Sequence, residues 1–265
     1  MKKSCSLLLA LLMPASVWAQ SASSSDDPTT PVNTSHWQLG LGVAASDNAY
    51  VGQGSKITPF PLVVYQGDRF FIQGITAGVH LLKSDGVAID AIVTTGFNNV
   101  DANDFSRADL ARRGINRNDL DDRDRSIDAG FAASWTGRFG QLRAVAKTDI
   151  SGNSEGAEYS LEYGYRMHWA GFTITPNVGA VFLSSKVADY YYGIHSDERR
   201  RGVPGYVPGG SLIPQAGIGV VRPIGDKWTL LINAKYTELP DKISHSPLVD
   251  GSHGTTVLIG FSRAL

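Results

Sequence analysis

A chain of 265 residues with 42% apolar content can build one domain of ordinary core size, and 24 basic against 25 acidic residues leave no surplus for a polyanion. Nucleic acid is not an expected partner. Cys5 is the only cysteine, and it precedes the apolar run Leu7 to Met13 instead of following it, so the mature chain has no disulfide, thiol nucleophile, cysteine metal ligand or lipid-attachment cysteine.

Lys2 and Lys3 lead into that run, and Val17-Trp18-Ala19 places small residues at the two positions a signal peptidase reads. The pattern predicts a signal peptide over 1–19. The run is too short for a permanent span, and no later window approaches the ~18 apolar residues a membrane helix requires. Residues 20–35, rich in Ser, Thr, Asp and Pro, read as a flexible periplasmic lead-in. Residues 36–265 read as one domain.

From Trp37 the chain alternates strand-like segments with turns. Trp37, Leu39, Leu41 and Val43 share one face of the first. Phe60 to Tyr65, with Pro59 and Pro61 restricting its start, forms the second. A third is read through Phe71, Gln73, Ile75, Ala77, Val79 and Leu81, and a fourth through Val87, Ile89, Ala91, Val93 and Phe97. The polar, highly charged stretch from Asn98 to Arg125 interrupts the pattern. It resumes at Ile127, Ala129, Phe131, Ala133 and Trp135, then at Leu142, Ala144, Ala146 and Ile150. Tyr159 to Trp169 is the clearest segment: Tyr159, Leu161, Tyr163, Tyr165, Met167 and Trp169 alternate with Ser160, Glu162, Gly164, Arg166 and His168. Ten steps of ~3.3 Å tilted by about 40° project to about 25 Å, the height of the apolar band on a membrane barrel. Phe172 to Phe182 follows, with Pro176 predicting a bulge or bend. After a second long segment, 184–210, come strands through Ala216 to Val220, Trp228 to Tyr236 and Val257 to Phe261.

The fold class is therefore all-β, a transmembrane antiparallel up-and-down β-barrel. A soluble barrel or sandwich would alternate similarly, but the signal peptide, ten-residue strands, aromatic strand ends and glycine-rich polar faces together favour the membrane. Eleven segments can be counted where a closed bacterial barrel needs an even number. Twelve strands are predicted, with Val187 to Ile194 as the missing one; ten is the alternative.

If the apolar sets face lipid, Asp90, Asp128, Arg143, Lys147, Asp149, Glu162, Arg166, His168 and Lys235 point inward. Four acids against four permanent bases suit cross-lumen ion pairs better than a single-sign filter, which favours a narrow or plugged barrel, with a passive small-solute channel as the alternative. Tyr190, Tyr191 and Tyr192 have the rings and polar tips of a partner contact or a membrane girdle. Arg199, Arg200 and Arg201 could bind lipopolysaccharide phosphates or form a solvated loop tip. His195-Ser196-Asp197 and His245-Ser246 hold hydrolase residue types, but adjacent loop residues diverge too far for a triad, leaving an outer-membrane lipid hydrolase as a distant alternative and no catalytic residues assigned. Asn116 to Asp124 lacks the glycine and final glutamate of a calcium loop. Neither a metal site nor a cofactor is expected.

Several elements in order resemble the MipA/OmpV family of Gram-negative outer-membrane proteins: Tyr50-Val51-Gly52 before Pro59-Phe60-Pro61-Leu62 and Phe70-Phe71; Arg113-Gly114 to Asp122 before Asp128-Ala129-Gly130; Tyr190-Tyr191-Tyr192-Gly193-Ile194; and Ser246-Pro247-Leu248-Val249 before the last strand. The final strand departs from the family pattern by ending Arg263-Ala264-Leu265 instead of on an aromatic residue. The resemblance implies a non-enzymatic barrel in the outer membrane, in contact with its lipid and lipopolysaccharide. It also implies a scaffold tying a periplasmic lytic transglycosylase to a penicillin-binding protein, while other relatives are associated with adhesion, osmotic response or antibiotic susceptibility.

Overall fold

The computed structural model describes residues 36–47, 49–95 and 99–265. The expected signal peptide, the lead-in and Phe97 lie outside them. Thirteen strands run β1 (Trp37–Asp47), β2 (Lys56–Gln66), β3 (Phe70–Gln73), β4 (Thr76–Ser84), β5 (Val87–Thr95), β6 (Ile127–Gly137), β7 (Gly140–Asp149), β8 (Ala157–Gly164), β9 (Met167–Trp169), β10 (Phe172–Leu183), β11 (Ser211–Ile224), β12 (Trp228–Glu238) and β13 (His253–Ala264). Apart from β8 and β9, consecutive strands pair antiparallel, and β13 closes onto β1 through Gln38↔Ala264 to Asp47↔Thr255. β8 and β9 both pair with β10 and are two parts of one stave, so the closed barrel has twelve. A helix long and apolar enough to cross a membrane is absent among the described residues.

The alternation predicted from sequence sets the two faces. Leu41, Phe131, Tyr159, Leu161 and Ile259 lie exposed on the outer wall, and Ser46, Asp90, Asp128, Asn233 and Thr256 are buried on the inner one. Bare backbone at inner glycines is covered by neighbouring rings: a Cβ on Gly42 would meet the Phe60 ring at 2.4 Å, and one on Gly78 the Phe71 ring at 2.3 Å. This is the aromatic cover that stiffens glycine-bearing strands.

Three strand expectations change. Val187 to Ile194 is not a stave: Ser185–Tyr192 is a helix, α2, burying Val187, Ala188, Tyr191 and Tyr192 along one face. The missing strand comes from the third segment, which folds back on itself. Gly74, at φ 61°, and Ile75 make a two-residue turn that joins β3 to β4 through Gln73↔Thr76. Phe71 and Gln73 therefore face inward while Ala77 and Val79 face outward. Pro176 sits within a continuous β10, and the interruption falls on its neighbour, since pairing lapses at Tyr165-Arg166 between β8 and β9. Lacking an N–H, Pro176 can only accept there, from the Tyr165 N–H at 3.1 Å.

β3 is only four residues long, and this leaves a seam in the wall. β2 is paired with β1 from Ser46↔Lys56 to Trp37↔Tyr65, but on its other edge it pairs only over Val64–Gln66. The Gln66 N–H points to β1, donating to the His36 carbonyl at 2.8 Å, while the Val63 carbonyl points the other way, accepting from the Gly74 N–H at 2.8 Å. By the same alternation Ile57, Pro59 and Pro61 direct their backbone polar groups at the open edge. Among the described residues no strand covers that edge from Lys56 to Pro61. It amounts to about 20 Å of strand at ~3.3 Å per residue.

Candidate functional site

One end of the barrel carries only tight turns; the other carries the segments 49–55, 99–126, 150–156, 184–210 and 239–252. Four of these form a cap. Its apolar core combines Val51 from the first, Phe105, Leu110, Ile115 and Leu120 from the second, Ala188, Tyr191, Tyr192, Ile194 and Val203 from the third, and Ile243, Leu248 and Val249 from the fourth. This is the largest buried cluster among the described residues. Short helices carry it: α1 (Arg107–Arg112), capped by the Ser106 hydroxyl accepting from the Asp109 N–H; α2; α3 (Ser196–Arg200); and α4 (Asp241–Ser244). The loops are joined further by Arg113, which donates to the Pro247 and Val249 carbonyls at 3.1 and 2.7 Å and pairs with Asp250 at 2.6 Å.

At the centre of the cap is a wholly buried ion pair. Arg123 and Glu198 side chains are each 0% exposed, with contacts of 2.5 and 2.9 Å. The remaining capacity of the Glu198 carboxylate is filled by the Asp121 N–H at 2.8 Å and the His195 N–H at 2.7 Å, and Arg123 also donates to the Asp121 and Gly193 carbonyls. The carboxylate is thereby saturated, as a buried pair needs to offset its desolvation, while the Arg123 Nε is buried without a hydrogen-bond partner. Asp121, His195 and Glu198 offer ligand atoms within 4.8 Å of one another, a metal-sized cluster. Each residue is also engaged within the protein: Glu198 with Arg123, Asp121 Oδ2 with Arg201 at 2.7 Å, and His195 Nε2 with the Tyr190 carbonyl at 3.0 Å.

Of the three consecutive tyrosines, Tyr191 and Tyr192 are core residues, not a contact surface or a girdle. Tyr192 stacks on Tyr50 at 5.5 Å, and the Tyr191 hydroxyl donates to the Asp124 carbonyl at 3.3 Å. Burial pushes the phenols of Tyr50 and Tyr191 well above their ordinary range, and that of Tyr192 to about 12. Tyr190 is partly exposed, its hydroxyl accepting from the Asp124 N–H at 2.8 Å. Arg199, Arg200 and Arg201 lie exposed on the cap surface. Arg200 pairs with Asp197, holding that carboxyl below its usual value, and Arg201 pairs with Asp121. The hydrolase-like residues have other work: Ser246 is buried and donates to the Tyr192 carbonyl at 2.6 Å, and Ser196 donates to Asp197 at 3.3 Å.

Below the cap, charged residues cross-link the inner wall. Lys147 bridges Asp128 at 2.8 Å and Glu158 at 3.2 Å. His80 meets Asp90 at 2.6 Å. Arg143 stands opposite Glu162 across β7 and β8 and is within electrostatic range of Asp90; Lys235 is within range of Glu162 and Glu158. Arg166 faces the Gln141 side-chain amide at 2.5–3.0 Å when the amide oxygen is turned towards it. Two of the nine predicted inward residues stand apart from this ladder. Asp149 is spent at the rim, accepting from Ser151, Ser154 and Glu155 in the β7–β8 loop, and His168 is exposed at the turn end. His80 and Glu158 also belong to the ladder: the alternation that turns Ala77 and Val79 outward sets His80 inward, and Glu158 lies one residue before the segment that begins at Tyr159.

The turn end is basic. Arg69, Lys83, Arg138, Arg222, Lys227 and Arg263 are exposed there against Asp68, Asp85 and Asp226. Three of the arginines lie over aromatic rings: Arg138 over Phe139 at 4.4 Å, Arg222 over Phe172 at 4.5 Å and Arg263 over Trp228 at 5.8 Å. Rings at the edge of the apolar belt with cations reaching past them mark a membrane interface.

Comparison with known proteins fits this architecture. The chain is 29% identical over 229 residues to the putative outer membrane protein YiaT of Escherichia coli K12, covering 86% of this chain and 90% of that one. It is 29% identical over 219 residues to the MltA-interacting protein of the same organism, covering 82% and 85%. With OmpV of Vibrio cholerae it shares 27% over 146 residues, 54% of this chain and 57% of that one. Among solved structures, the NanC porin superposes with a TM-score of 0.47 at 10% identity, covering 86% of this chain and all of that one. The model of the family described as MltA-interacting protein MipA matches residues 39–265. The chain is a β-barrel of the Gram-negative outer membrane, and it belongs to the MipA family.

Proposed function

We propose that the protein is a non-enzymatic interaction protein, holding murein-remodelling enzymes at the periplasmic face of the outer membrane. The observation that carries this reading is closure. The long-loop end carries a cap with its own apolar core, and beneath it ion pairs of both signs join neighbouring staves along the inner wall. A passage blocked in this way is poorly suited to bulk solute flow, and mixed charge sets no ion preference. Short turns normally face the periplasm. The basic, arginine-rich turn end is then the surface presented there, and exposed arginines over aromatic rings are the kind of residue that anchors protein interfaces.

The name of the MltA-interacting relative supports a lytic transglycosylase as the partner; a penicillin-binding protein as a second partner rests on the family resemblance alone. Photoreactive residues placed at Gly67 and Arg138 in intact cells, followed by mass spectrometry, test this. Capture of a periplasmic murein enzyme is expected from these turn-end positions and not from Asp122 in the cap. Steady single-channel conductance of the refolded barrel, with no such capture, would replace the scaffold by a channel.

A further inference from the structure

We infer that the seam beside β2 is a seat for a single-chain amphiphile entered from the bilayer, which admits a hydrogen-bonding head group to the barrel interior while the alkyl chain stays in the lipid. The inference goes beyond the interaction role, because it concerns the wall of the barrel and not its periplasmic turns.

The seam lies at hydrocarbon depth. Ile57, on the outer face of the open edge, is 71% exposed, and the outer face below it runs through Pro59, Pro61 and Val63 to Tyr65 at the turn-end rim. In lipid an open sheet edge is tolerated only where its polar groups find partners in protein or line a polar cavity. Pro59 and Pro61 occupy two of the positions whose N–H groups would otherwise point into the gap. The edge therefore keeps carbonyl acceptors at Ile57, Pro59 and Pro61 but has lost two donors. That chemistry discourages addition of a strand from another protein, which needs donors and acceptors in turn. It favours a head group rich in N–H or O–H.

The lips of the seam differ in character, as an amphiphile requires. On the inner side stand Gln73, Thr76 and Thr94, the two threonine hydroxyls 2.8 Å apart. On the outer side an apolar groove of about 930 Å³ begins beside Tyr65 and Ile72, next to the last paired residues of β2 and below residues 56–61, which do not line it, and continues past Phe70, Ala77, Val79, Ala91 and Val93. Small alanine side chains floor it between larger flanks, a shape that takes an extended chain.

The first experiment uses the unmutated protein in nanodiscs and two photoreactive lysophospholipids with the same diazirine-bearing C16 chain. One carries an ethanolamine head, with N–H donors; the other a choline head, with none. In both the glycerol hydroxyl is methylated, so that no O–H donor remains on either. The ethanolamine probe is expected to label residues 56–79 at least fivefold more than the choline probe. Equal labelling by both, or labelling spread evenly around the apolar belt, overturns the proposal. The second uses the cysteine-free mature chain as background. Gln73→Cys beside the seam and Ser160→Cys behind a continuous wall both face inward and are both partly exposed. After heat-modifiability on gels shows that each variant is folded, a long-chain alkyl thiol reagent confined to the bilayer should modify Gln73→Cys at least tenfold faster. Equal rates overturn the proposal.

Discussion

Replacing Glu198 by Gln tests whether the cap is a folded unit with the Arg123 pair at its heart. The substitution keeps the volume and one carbonyl oxygen but removes the charge, leaving the Arg123 guanidinium, 0% exposed, without a counter-charge. Removing one partner of a buried pair typically costs about 3–5 kcal/mol. Because Glu198 also accepts two backbone N–H groups, from Asp121 and His195, the upper half of that range applies. If the cap opens separately from the barrel, the open population rises by roughly 10³ to 5 × 10³, and proteolysis in the rapid-reclosing regime follows that population. The assay is trypsin cleavage after Arg117 and Arg125 in proteoliposomes. Tryptophan fluorescence supplies the control, because Trp37, Trp135, Trp169 and Trp228 all lie at the turn end of the barrel and none lies in the cap. Cleavage is expected to rise at least a hundredfold with the fluorescence unchanged, and Arg123→Met with Glu198→Leu should recover much of the loss. A rise of less than threefold would refute the reasoning.

Other variants follow from the same geometry. Tyr191→Ala removes a ring that is 3% exposed, so cap cleavage should rise by the equivalent of about 3–5 kcal/mol, while crosslinking at the turn end is unchanged; loss of partner capture would restore Tyr191 to a contact role. The phenol of Tyr192 is raised by burial to about 12 from an ordinary value near 10, so its contribution to cap stability is complete below pH 10 and is lost as pH climbs towards 12. The tyrosinate absorbance of Tyr192, taken as the difference between the protein and Tyr192→Phe, should therefore appear together with cap cleavage in that window, and a difference that titrates near pH 10 would contradict the burial. Gly78→Leu forces the Phe71 ring, 2.3 Å from an added Cβ, out of place. Overpacking of this kind costs about 1–3 kcal/mol and should lower the midpoint of heat-modifiability on gels; an unchanged midpoint would mean that the ring relaxes freely.

The staves were legible in the sequence because a two-residue period survives wherever one face meets lipid and the other a polar lumen. The β3–β4 hairpin was not, since its turn is a lone Gly74 followed by β-branched Ile75 with no polar cluster to mark it. The odd strand total was the trace it left. The cap was hidden for a different reason. Its apolar residues Val100, Phe105, Leu110, Ile115 and Leu120 are spread through a stretch dense in Asp and Arg, with partners in distant loops such as Tyr50 and Tyr191. Helix α2 could have been found, because Val187, Ala188, Tyr191 and Tyr192 recur at helical spacing, but tyrosine and valine favour strands by composition. Of the charges expected inward, Asp149 lies at the loop rim and His168 is exposed at the turn end, because the alternation loses its meaning where a strand runs out into a turn.

The cap draws on the first and last outer loops together, Val51 beside Leu248 and Val249, so it cannot assemble until β13 has joined β1. Its segments must cross the bilayer as unfolded chain and find one another only on the far side. Once formed, a structure with a buried ion pair and a charged exterior cannot be drawn back through a lumen laced with side chains. It behaves like a rivet head set after the shaft has passed, turning a reversible insertion into a one-way event.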